Sequence, residues 1–203
     1  NTVIMKPAEQ SPIIAAHLMR ILKEAGFPAG VVNFLPGYGE EIGAYLVKHK
    51  DVQIISFTGS KEVGLNILRE ASQLSQGQTT LKKCVIEMGG KNAIIVDSDA
   101  DMDEAVSGVL YSAFGYQGQK CSACSRVIVL EENYDRFVGR LAEAASSFTI
   151  GPAENPKYYM GPVIDEEAQK RMLRTIESAK VNSKILLQGE VPSSGYYVPP
   201  TIF

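Results

Sequence analysis

The chain has 203 residues, 45% of them hydrophobic, with a formal charge of −3 at pH 7 and a pI near 5.5. There is no basic block to attract nucleic acid, no apolar run near the roughly 20 residues that cross a bilayer, and no stretch that reads as a signal peptide. Three cysteines are too few for a disulfide framework, so reduced intracellular thiols are expected.

Strands and helices are expected to alternate from the start. Residues 2–5 read as a strand. Ser11 and Pro12 open a helix whose apolar face is Ile14, Leu18, Ile21 and Leu22, and Gly26 ends it. Residues 31–35 form the second strand, followed by Gly37-Tyr38-Gly39 and a helix over about 40–48. Residues 53–57 form the third strand. Thr58-Gly59-Ser60 turns it into a helix that runs to about Leu74, and residues 83–88 form the fourth strand. The pattern then repeats. A strand at 93–96 leads through Asp99-Ala100-Asp101 into a helix to about Tyr116, with Ala105, Val109, Leu110 and Ala113 inward. A cysteine loop, a strand at 126–130 and a helix at 134–148 follow. Residues 151–161 are a loop, Asp165 opens a helix to about Val181, and 184–188 is a strand. This alternation predicts an α/β fold with parallel sheets. The seam is placed near Gly89-Gly90, giving domains 1–89 and 90–203.

Two motifs carry chemistry. Gly118-Gln119-Lys120-Cys121-Ser122-Ala123-Cys124-Ser125-Arg126 presents a thiol beside a lysine in a polar loop. Glu87-Met88-Gly89-Gly90-Lys91-Asn92 presents a carboxylate at the end of an apolar strand, with glycines that permit close backbone approach. A thiol nucleophile and a carboxylate base are the minimal kit for covalent catalysis at a carbonyl. By residue type alone, Cys121 also reads as an inert packed thiol and Glu87 as a solvated strand-end carboxylate. A zinc site built on Cys121-x-x-Cys124 needs two further ligands, and Cys84, His17 and His49 have no ligand-like spacing. A thioredoxin-like pair opens a helix, whereas Cys124 runs into a strand, so Cys124 is read as a packing residue. The turn Gly59-Ser60-Lys61-Glu62-Val63 offers the free N–H groups of a helix start to a pyrophosphate. Gly37-x-Gly39-x-x-x-Gly43 is only an approximate dinucleotide fingerprint, for which a tight turn is the simpler account.

Taken together, Glu-x-Gly-Gly-Lys-Asn and Gly-Gln-Lys-Cys resemble the signature pair of the NAD(P)-dependent aldehyde dehydrogenases. Lys6-Pro7-Ala8-Glu9-Gln10-Ser11-Pro12, Phe34-Leu35-Pro36-Gly37, Ser56-Phe57-Thr58-Gly59-Ser60, Met160-Gly161-Pro162 and Pro199-Pro200-Thr201 agree in order. The nonapeptide around Cys121 is most similar to the Δ1-pyrroline-5-carboxylate dehydrogenases, which oxidise L-glutamate γ-semialdehyde.

The resemblance implies an aldehyde dehydrogenase-like fold, with Rossmann-type parallel sheets in a cofactor-binding part and a catalytic part. It makes Cys121 the nucleophile and Glu87 the general base. It places NAD, in preference to NADP, on Lys6, Glu9, Gly39, Phe57, Gly59, Ser60, Lys61, Glu62 and Val63. Lys120 and Ser122 are then placed to meet the substrate carboxylate, although Lys120 would equally serve to tune the thiol or face solvent. A homo-oligomer is implied, in the cytoplasm or in a eukaryote's mitochondrial matrix, free-standing or fused to a proline dehydrogenase. The apolar runs at both ends, with no starting Met, are expected of a piece from the middle of a longer enzyme. The oxyanion-hole asparagine would lie before Asn1. The nicotinamide-ribose glutamate and the substrate-anchoring loop would lie after Phe203. Competing readings are an aldehyde dehydrogenase of another specificity, a CoA-acylating relative that would not need Glu87, and a non-catalytic scaffold on the same fold.

Overall fold

A computed structural model describes residues 1–203, which divide into two compact units, Asn1–Met88 and Gly89–Phe203. The first unit contains β1 (Val3–Met5), α1 (Pro12–Glu24), β2 (Val32–Phe34), a π turn (Gly39–Gly43) running into α2 (Ala44–Lys48), β3 (Ile54–Gly59), α3 (Lys61–Ala71) and β4 (Lys83–Met88). β1 pairs with β2 and β3 with β4, both in parallel. Parallel neighbours need a crossover, and the helix between each pair supplies it. Alternation along β3 and β4 puts Ile55, Phe57, Cys84 and Ile86 on one face, against a small core of Val47, Ile67 and Ala71. α3 seats closely because Gly64 has no side chain: a Cβ there would lie 2.9 Å from Ile86 and from Met88.

The second unit contains β5 (Asn92–Val96), α4 (Met102–Phe114), a 3-10 turn (Gly115–Gly118), β6 (Cys124–Val129), α5 (Glu131–Ser146), α6 (Glu166–Lys180), β7 (Leu187–Gln188) and β8 (Thr201–Ile202). β5 and β6 are parallel, while β7 and β8 are antiparallel. Met102, Val106, Val109 and Leu110 of α4 recur at helical spacing and meet Phe137, Leu141 and Ala145 of α5 over Val96. Asp101 and Asp165 cap α4 and α6 through the free N–H groups of their first turns. No helix is long and apolar enough to cross a membrane.

The α/β alternation agrees with the sequence reading, and several details correct it. β3 runs on to Gly59, because the ladder with β4 holds Thr58 opposite Glu87 and Gly59 opposite Met88. The apolar face expected of α1 is not buried: no residue of that helix is, because nothing in its unit packs over Ile14 and Ile21. Ser11 stands at the start of α1 but makes no side-chain capping bond. α3 stops at Ala71 and α5 starts at Glu131, each about three residues earlier than expected. α4 ends at Phe114, because Tyr116 and Gln117 turn left-handed, with φ of 52° and 56°. Met102 and Val106 join Val109 and Leu110 as buried side chains of α4, and Ala105 packs partly buried against the same core.

Candidate active site

In the first unit the chain folds Lys6, Glu9 and Gly39 together. The Lys6 ammonium donates to Glu9 Oε1 at 3.0 Å and to the carbonyls of Pro7 and Gly37 at 2.6 and 3.1 Å. The same Glu9 oxygen accepts the backbone N–H of Gly39. The Glu9 carboxyl is held below its ordinary pKa of 4.5, first by its own backbone N–H and then by Lys6, with Gly39 adding to both. These contacts tie the segment after β1 to the turn after β2. Gly37 has a positive φ of 156°, and a Cβ there would press on the Ile42 side chain.

Phe57, Gly59 and Ser60 come together at the end of β3. The Phe57 ring lies over Gly59, where a Cβ would sit 2.4 Å from it. Ser60 caps α3, its Oγ accepting from Val63 N–H at 3.2 Å. Lys61, Glu62 and Val63 form the exposed first turn of that helix. Unpaired N–H groups and a partial positive charge at such a turn suit a phosphate, and paired Lys and Glu side chains suit ribose hydroxyls. Glu87 is exposed near the end of β4, beside Thr58 and one ladder position short of Gly59.

Cys121 lies in the second unit, exposed, in a turn closed by Ala123 N–H donating to the Lys120 carbonyl at 3.2 Å. The Asn92 amide at the start of β5 holds that turn. Its Nδ2 donates to the Cys121 carbonyl at 2.7 Å and the Ala123 carbonyl at 3.3 Å. The β5–β6 register slips between Asn92 and Ala93, which frees the loop from the regular ladder. Gly90 makes room, since a Cβ there would lie 3.2 Å from the Cys121 carbonyl oxygen. Gly89 has open space around it, so the close approach read into the pair belongs to Gly90 alone. Ser122 is exposed next to Cys121. Cys124 is buried, its N–H donating to Ser112 Oγ at 3.1 Å and its thiol facing the Arg126 carbonyl at 3.2 Å.

Two features escaped the sequence reading. Asn92 was visible in the motif, but its reach to a loop about thirty residues away was not. The Lys120 ammonium lies 4.9 Å from the centroid of the Tyr116 ring and 5.2 Å from that of Tyr111. The one available signal was the aromatic pair spaced five apart just before the loop.

Comparison with known proteins agrees along the whole chain. The model of the family described as "Aldehyde dehydrogenase family" matches residues 1–203. The chain is 45% identical, over its full length, to a 1-pyrroline-5-carboxylate dehydrogenase of Bacillus subtilis (strain 168), of which it spans 40%. Among solved structures it is similar to proline utilization A (PutA) from Bdellovibrio bacteriovorus, with 63% identity and a TM-score of 0.96, covering 99% of this chain and 21% of that one. It is likewise similar to a 1-pyrroline-5-carboxylate dehydrogenase from Thermus with bound NAD, with 48% identity and a TM-score of 0.94, covering 99% of this chain and 39% of that one.

Proposed function

The chain belongs to the aldehyde dehydrogenase family, and from that premise we propose that it carries the nucleophile and base of an NAD-dependent oxidation of L-glutamate γ-semialdehyde to L-glutamate. The observation that carries this reading is the contrast between its two neighbouring thiols. Cys121 is exposed in a turn bonded to the Asn92 amide, with Lys120 preceding it in the chain, whereas Cys124 is buried in packing. A nucleophile must reach its substrate from a fixed position.

In this proposal the Cys121 thiolate adds to the aldehyde carbon, and the S–C bond leaves a thiohemiacetal on the protein. Bound NAD supplies the hydride acceptor, and the residues around Lys6–Glu9–Gly39 and the Ser60-capped turn fit its ribose and pyrophosphate. Loss of hydride leaves an acyl thioester on Cys121. Glu87 takes a proton from water, whose oxygen adds to the acyl carbon, and the C–S bond breaks to return the thiolate and release the acid. Lys120 and Ser122 receive the substrate's carboxylate. Similarity to both 1-pyrroline-5-carboxylate dehydrogenases and PutA supports this substrate and a place in proline breakdown. Relatives of two lengths match, the chain covering 21% of the Bdellovibrio PutA and 39% of the Thermus enzyme, so a parent fused to a proline dehydrogenase and a free-standing one both fit this reading.

The test is NADH formation with glutamate semialdehyde in the full-length gene product. Cys121→Ala is expected to abolish it and Cys124→Ala to retain most of it. Equal loss in both variants would remove Cys121 from its role.

A further inference from the structure

Lys120 has three features that point beyond its position in the motif. It is exposed beside Cys121, and no carboxylate lies within ion-pair distance of it. Its ammonium sits near the rings of Tyr111, in the last turn of α4, and Tyr116, just beyond that helix. Tyr116 occupies a left-handed conformation, with φ of 52° and ψ of 34°.

That conformation is unfavourable for a bulky residue, and such strain persists only where the surroundings enforce it. Its neighbours in the same turn have local reasons to be left-handed. Gly118, with φ of 67°, has no Cβ, and one would lie 2.9 Å from the Ala113 carbonyl. With its oxygen and nitrogen exchanged to suit their neighbours, the Gln117 amide donates to the Tyr116 carbonyl and accepts from the Gly161 N–H, each at 3.0 Å. Tyr116 gains no burial from its conformation, because it is 72% exposed. Its ring is spent on the Lys120 cation. Asn or Gly would fill the left-handed position at lower cost but could not face an ammonium with a π surface.

The platform beneath is anchored. Phe114 packs on the core of the unit and meets Phe148 edge-on at 5.3 Å, and Phe148 stacks on Tyr159 at 4.3 Å. Burial and the neighbouring Tyr111 hydroxyl push the Tyr159 hydroxyl above its ordinary pKa.

We propose that Tyr116, with Tyr111, is a positioning residue that fixes the ammonium of Lys120, the residue preceding Cys121, against two ring faces and so selects aldehydes carrying an anionic group. This rests on the reading of Lys120 as the partner of the substrate carboxylate. A lysine left free would spread its charge over many rotamers, whereas two ring faces restrict it without neutralising it. The positive charge then remains available to an incoming carboxylate.

The test compares kcat/KM for glutamate semialdehyde and for propanal in the full-length gene product, for Tyr116→Phe, Tyr116→Asn, Tyr111→Leu and Lys120→Met. Circular dichroism checks that each variant is folded. Asn tolerates the left-handed backbone, so Tyr116→Asn removes the ring without adding strain. It should cut the selectivity ratio about two- to fivefold, the worth of one exposed cation–π contact. Tyr116→Phe should keep the ratio. A second readout is independent of substrate: the NMR signal of 13C-dimethylated Lys120, identified by its absence in Lys120→Met. It should show a ring-current shift in the wild type and in Tyr116→Phe, reduced in Tyr116→Asn and in Tyr111→Leu. An unchanged ratio in Tyr116→Asn, or equal loss in Tyr116→Phe, overturns the proposal, as does a Lys120 signal with no ring-current shift in the wild type. If Lys120→Met lowers both aldehydes alike, it is the substrate-binding reading of Lys120 that fails. A ratio lost in Lys120→Met but kept in Tyr116→Asn leaves that reading standing and removes the tyrosines.

Discussion

At the scale of single residues the two proposed catalytic groups make different demands. Cys121 must be exposed, and it is. Glu87 must be able to take a proton from water, and it is likewise exposed, near the end of its strand. If Glu87 acts on the deacylating water, Glu87→Gln should slow steady-state turnover by about 10²–10⁴-fold, the usual contribution of a general base. Stopped-flow mixing should still show a burst of NADH, because thiol addition and hydride loss come earlier. Wild-type turnover, or loss of the burst together with turnover, would assign Glu87 another role. Glu9 supports a prediction with a sign. Its folded-state pKa lies below the ordinary 4.5, so between those two values the folded chain holds fewer protons than the unfolded one. The resulting stability is complete above the unfolded pKa and is lost as pH falls through the folded pKa. Glu9→Gln should therefore flatten the acid limb of a stability-against-pH curve, slightly, because the side chain is partly exposed and screened. An acid limb identical to wild type would mean that the Lys6–Glu9–Gly39 contacts do not persist in solution.

Among the elements, the coupling of β5 to the cysteine loop through Asn92 separates positioning from stability. Asn92→Ala removes the donor to two carbonyls, at about 0.5–1.5 kcal/mol for each bond. Asp101→Ala removes the cap of α4, whose Oδ1 accepts from Asp103 and Glu104 N–H, at about 1 kcal/mol. The two variants should lose similar thermal stability. Only Asn92→Ala should also lower kcat, since the turn bearing Cys121 is then free to shift. Equal kcat in both would show that the turn holds itself. Part of this was legible in advance. Alternating apolar runs announced the strands, and Asp101 and Asp165 announced two helix starts, because both signals are local. The separation of Cys121 from Cys124 was legible too, since Cys124 leads directly into β6. What could not be read depended on contacts distant in sequence. The Asn92 clamp and the extension of β3 to Gly59 are set by neighbouring segments. The left-handed Tyr116 is of a residue type that does not announce that conformation. The apolar stripe of α1 was read correctly as a stripe, but a stripe alone does not say what covers it.

For the whole molecule, burial is uneven. The second unit holds a core of eight buried side chains, led by Phe137, Val96 and Val109, whereas the first is built on Val47, Ile67 and Ala71. α1 buries none of its residues, with Ile13 74% and Ile14 69% exposed. Every sheet is two-stranded, so each strand presents an open edge, and open edges and apolar surface both favour association. The chain also spans only 40% of the length of the Bacillus subtilis relative. The 203-residue chain expressed by itself is therefore expected to associate as its concentration rises, measured by light scattering. Hydrogen exchange should be fastest across α1 and slowest across α4 and α5, because amides exchange through local opening and opening is easiest where little apolar surface is buried. NADH formation with glutamate semialdehyde should be at least a hundredfold below that of the full-length gene product, on the order of the loss of a single oxyanion donor. Three results would contradict this account: a monodisperse monomer, equal protection in α1 and α5, or activity near that of the longer protein. The last would show that these residues hold a complete site, and that the oxyanion donor expected from the resemblance is not required.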